Sequence, residues 1–77
     1  MMKGGSQMNS NLLKAEMVKH GINGQQLSAQ IGISESAFYR KMNGSSEFTQ
    51  GEIRSIADTL HMDNESIITV FFGQEVS

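Results

Sequence analysis

Apolar residues in this chain recur three and four positions apart, in short runs separated by glycine or small polar residues, and nowhere do they sustain an alternation of period two. Such spacing places them on one side of a helix and argues against strands. The clearest runs lie mid-chain. Leu27 and Ile31 stand one turn apart, and Phe38 and Met42 repeat the interval. The first pair predicts a helix over roughly Gly24 to Ile31, capped by Asn23, with Gln26 placed to reach back to the cap. Gly32 supplies the left-handed residue that ends it. Ile33 then points inward, and Ser34 caps a second helix over roughly Glu35 to Asn43, stopped by Asn43-Gly44. At about eight residues neither helix persists alone, so each must pack on the other and on the rest of the chain.

The flanking runs predict three more helices. Leu13 and Met17 face inward from a helix over about Asn11 to His20, capped by Asn9 or Ser10 and ended by Gly21, with Ile22 packing under the next element. Thr49-Gln50-Gly51-Glu52 matches a capping box. Behind it Ile53, Ile56, Ala57 and Leu60 keep helical spacing over about Gln50 to Leu60. His61-Met62 makes a connection, and Asp63 or Asn64 caps a last helix through about Phe71. Ile67, Ile68, Val70, Phe71 and Phe72 are too many for one face of a short terminal helix, so some are expected to stay exposed, and the surplus apolar surface around Ile68, Phe71 and Phe72 is the candidate dimer contact. The expected fold is all-α, five short helices in one domain over residues 9–73, with a tail at 74–77. Residues 1–8 read as a disordered start or an appended remnant: Met1 to Gln7 has no periodicity and two adjacent glycines, and Met8 is a candidate initiator.

Composition narrows the function. With 77 residues and 38% hydrophobic content, the chain builds one modest core and has no room for a separate catalytic domain. Cysteine is absent, which removes disulfides and thiolate metal sites. No apolar run approaches the roughly 18 residues that span a bilayer, and no signal-peptide pattern opens the chain; a cytoplasmic protein is expected. His20 and His61 are the only imidazoles. They sit at helix ends, where a protonated ring suits the dipole, and lack partners at triad or metal-ligand spacing. No phosphate-cradling loop is present. The expectation is therefore no enzyme, no cofactor, no metal and no small-molecule substrate.

The net charge is −2, but it is unevenly spread. Residues 1–46 hold five cations against two carboxylates, a net of +3, and residues 47–77 hold one cation against six carboxylates, a net of −5. A basic first half suits a binder of polyanions. Between its apolar positions the second mid-chain helix carries Glu35, Ser36, Tyr39 and Arg40. A polar, hydrogen-bonding face of this kind is what the second helix of a helix-turn-helix presents to base edges in a major groove.

The segment resembles the helix-turn-helix of the phage Cro and repressor family, also termed XRE-like. The shared residues are Leu27-Ser28, Gly32-Ile33-Ser34, Ser36, Phe38 and Arg40, closing on Asn43-Gly44, and the likeness extends over about Leu12 to Phe72. The resemblance implies a lambda-repressor-like domain that binds double-stranded DNA as a homodimer and regulates transcription. Arg40 then suits guanine O6 and N7 or a phosphate, Ser36 and Glu35 contact bases near the helix start, and Tyr39 reaches a phosphate or a thymine methyl. Asn23 and Gln25, at the start of the first motif helix, with Ser34, Asn43, Ser45 and Ser46, are the candidate phosphate contacts. Lys14 and Lys19 read as solvated face residues. Three positions depart from the family: Ser28 stands where a packed alanine is common, Gly24 where relatives often place a glutamine that braces the DNA backbone, and Lys41-Met42 in an order many relatives reverse. The alternative reading is a protein-binding module on the same scaffold, antitoxin-like or anti-repressor-like.

Overall fold

The computed structural model describes residues 8–72, and these are all-α. Five helices follow in order: α1 Ser10–Lys19, α2 Gly24–Ile31, α3 Glu35–Met42, α4 Gln50–Leu60 and α5 Asn64–Phe72. Each start is capped as its local sequence directs. Asn9, Ser34 and Asp63 accept from the backbone N–H of Leu12, Ala37 and Ser66. Asn23 and Thr49 form reciprocal capping boxes with Gln26 and Glu52. Five satisfied starts let helices of this length persist long enough to pack.

Four helix ends share one closure. After α1, α2, α3 and α4, two successive N–H groups turn back onto carbonyls of the last turn, as in Ile33 N to Ser28 O and Ser45 N to Arg40 O, at 3.0 and 2.9 Å. This Schellman arrangement needs one left-handed residue. Gly21, Gly32 and Gly44 supply it at φ of 66, 81 and 89°, but after α4 the position is filled by His61 at φ 54°. A side chain there crowds the following carbonyl. We therefore expect His61→Gly to raise stability by about 1 kcal/mol in chemical denaturation. A destabilised variant would mean that the His61 ring, whose centroid lies 5.8 Å from that of His20, contributes more than the strain removes.

The core draws on every helix: Leu13 and Met17, Leu27, Phe38 and Met42, Ile56 and Leu60, Val70 and Phe71, with Phe48 from the loop before α4. Helix α2 packs on α3 and α4, and α5 on α1 and α4. Ile31 and Ile33, expected inside, are half-buried and line the core's edge. Met8, expected to belong to the disordered start, is half-buried against the core; residues 1–7 and the tail at 74–77 lie outside the described residues. Two bonds tie the chain's start to its far elements. Asn9 N donates to Val70 O of α5 at 2.6 Å, and the Ser10 hydroxyl donates to Met42 O at the end of α3 at 2.7 Å. No helix among the described residues is long and apolar enough to cross a membrane.

One expectation requires correction. Phe71 is 5% exposed and belongs to the core, where its ring meets Phe48 edge-on at 5.7 Å. It offers no surface to a second subunit. Helix α5 turns Val70 and Phe71 inward together because α1 and α4 both pack on it; of the candidate contact, Phe72 is 45% exposed and Ile68 half-buried.

Candidate nucleic-acid interface

The polar face of α3 is set by the residues on its opposite side. Phe38 and Met42 are buried, and Ala37 and Lys41, on the flank of that stripe, are half-buried. With that side held in the core, helical geometry turns Glu35, Ser36, Tyr39 and Arg40 outward, and all four are exposed. The corner that presents them is Gly32-Ile33-Ser34. Ile33 anchors it to the core's edge, and the Ser34 hydroxyl caps α3 by accepting from Ala37 N at 3.1 Å. The buried Ser28 hydroxyl donates back one turn to Gln25 O at 2.9 Å. That bond leaves no unsatisfied polar group under the corner.

The candidate phosphate-facing residues surround this helix. Asn23 is exposed, and its Oδ1 is taken up by Gln26 N at 2.8 Å. The capping box thus closes on Asn23 and Gln26 and leaves the N–H groups of Gly24 and Gln25 without an intrahelical acceptor. Gln25, Ser34, Asn43 and Ser45 are exposed, and Ser46 is half-buried. The backbone N–H of Ser45 is consumed by Arg40 O, so Ser45 has its hydroxyl, not its amide, free for an outside partner.

Two features escaped the sequence. The first is Lys41. Counted among the cations of the basic half, it turns inward, with its ammonium 3.1 Å from Glu52 Oε1, 3.1 Å from Glu47 O and 5.9 Å from the centre of the Phe48 ring. It is neutralised by a carboxylate of the acidic half, and it ties the loop after α3 to the start of α4. Arg40 beside it remains exposed. The Lys41–Glu52 pairing joins distant elements and leaves no local pattern. The second is Tyr39, whose ring tip lies over Gly24, and Gly24 is buried beneath it.

Burial pushes the Glu52 carboxyl up, but bonds from Thr49 and the Lys41 ammonium outweigh it and hold the group below its ordinary value of 4.5. A carboxylate depressed in the fold contributes stability that is complete above the unfolded value and lost as pH falls through the folded one. Glu52→Gln keeps the acceptor for Thr49 N but removes the charge facing Lys41. It should therefore cost about 0.5–1 kcal/mol at neutral pH, discounted for solvent, and flatten the loss of stability below about pH 4.5. Denaturation midpoints from pH 7 to 3 test this; parallel curves for variant and wild type would sink it. Asp63 lies on the same acid side, lowered by its bonds to Ser66.

Comparison with curated proteins and with solved structures returns no match. The family comparison does: residues 6–75, which take in all five helices, match the BetR domain. A five-helix all-α unit carrying a helix-turn-helix with an outward polar face is thus matched from end to end, and the chain belongs to the BetR domain family.

Proposed function

We propose that this protein is a sequence-specific DNA-binding transcriptional regulator of the Cro and repressor kind. It acts in the cytoplasm, without catalysis or cofactor, and occupies an operator as a dimer with α3 in the major groove. The observation that carries the reading is the exposure of Glu35, Ser36, Tyr39 and Arg40 on a helix whose other side is locked in the core. Membership in the BetR domain family, a helix-turn-helix-like family, supports it. One α3 reads too few bases for useful specificity, so two are needed, about 34 Å apart on one face of the duplex.

Selection of bound duplexes from a random pool tests this directly. A palindromic consensus is expected, with affinity falling steeply as salt rises. No enrichment, or binding indifferent to salt, would overturn the reading and favour the protein-binding alternative. For the dimer, Ile68 and the exposed Phe72 are the proposed contact on α5. Phe72→Glu should lower the dimer fraction in sedimentation on operator DNA and leave helix content unchanged; an unaltered fraction would move the contact elsewhere.

A further inference from the structure

Tyr39 projects from the outward face of α3, yet its ring does not stand free. It meets the buried Phe38 edge-on, centroids 5.4 Å apart, and its far end lies over the first residue of α2. A Cβ placed on Gly24 would fall 2.7 Å from Tyr39 Cζ and 3.3 Å from Cε2, and would overlap the hydroxyl oxygen. Real side chains do not approach that closely, so the ring and a side chain at position 24 exclude each other. Gly24 does not hold a left-handed backbone, unlike Gly21, Gly32 and Gly44. What the position requires is the space, not the conformational freedom.

We infer that Gly24 is a positioning residue: its missing side chain forms the slot that holds Tyr39, and the slot delivers the Tyr39 hydroxyl to the DNA-backbone side of the interface instead of to the base edges. The placement of Tyr39 against a phosphate rests on the DNA-binding reading above; the slot does not. The slot runs from α3 to the start of α2, so the ring couples the two helices of the motif. Tyr39 held here has its hydroxyl end over Gly24, the first residue of α2, next to the candidate phosphate contacts Asn23 and Gln25 in the chain. Its contribution is then to affinity and orientation, and Arg40 and Ser36 are left to discriminate sequence.

The chain has one tyrosine and no tryptophan, so its intrinsic emission reports Tyr39 alone. In the free protein, Gly24→Ala should expel the ring, raising the quenching of tyrosine emission by acrylamide, with helix content and unfolding midpoint maintained, since alanine is the better helix former. On the selected operator, Tyr39→Phe should lower affinity by up to about tenfold, and by the same factor on single-base variants of the site. Gly24→Ala should lose a similar factor, and the double variant Gly24→Ala/Tyr39→Phe no more than either single change. Unchanged quenching in Gly24→Ala overturns the slot. Additive losses in the double variant overturn the coupling, and a Tyr39→Phe loss confined to one base pair overturns the backbone role. Failure of the wild-type protein to bind any duplex would overturn the DNA-binding reading instead, and the quenching comparison would still decide the slot.

Discussion

Phe38→Ala should cost about 3–5 kcal/mol of stability, a large share of what a domain of this size possesses. Phe38 is fully buried and is the largest such side chain. Its ring begins a chain of edge-on contacts, 5.9 Å to Phe48 and 5.7 Å from Phe48 to Phe71, that links α3 through the loop before α4 to α5. Truncation removes the apolar transfer energy and leaves a void that several rings cannot all collapse to fill. Each kcal/mol lowers the midpoint of thermal unfolding of such a domain by about 4–8 °C. A fall well beyond 10 °C is expected, followed by circular dichroism. A variant within 1 kcal/mol of wild type would show that the aromatic chain is not what secures α3. The same burial makes Phe71→Glu an unfolding change, whereas Phe72→Glu alters only surface.

Arg40→Ala should have the opposite profile: an unchanged unfolding midpoint and operator binding weaker by about 1–3 kcal/mol. Arg40 is exposed on α3, and its neighbour Lys41 is occupied by Glu52 and the Glu47 carbonyl. Arg40 is therefore the cation of α3 that stays unpaired by the fold and open to a partner. Its guanidinium presents a planar fork that matches guanine O6 and N7. If it reads a base, the loss concentrates at one G·C pair. If it binds phosphate, the loss is uniform across sequences and the salt slope falls by about one. Titration on the selected operator and on single-base variants separates the two. An affinity equal to wild type would remove Arg40 from the interface.

The secondary structure was legible because its signals are local. Asn23 with Gln26 and Thr49 with Glu52 are capping boxes three residues long, and both form as read. The glycines at 21, 32 and 44 stop their helices for a reason confined to one backbone torsion. Leu27, Phe38 and Met42 turn inward because helical spacing groups them with other apolar residues, and any packing partner would bury that side. The outward position of Glu35, Ser36, Tyr39 and Arg40 follows from the same spacing.

The remaining features depend on which elements meet. Phe71 and Phe72 are identical side chains at adjacent positions, and only the packing of α1 and α4 on α5 decides that the first is core and the second surface. Lys41 is a basic residue in sequence, but its charge is spent once α4 brings Glu52 within 3.1 Å. Gly24 looks like a lost side chain in α2 until Tyr39 arrives from α3 to fill the space. His61 looks like a connector, and only the turn between α4 and α5 forces it into the conformation that glycine takes elsewhere. Interactions within one helical turn are fixed by the order of residues. Contacts between turns far apart exist only after the chain has folded, and they decide which polar groups remain for a partner.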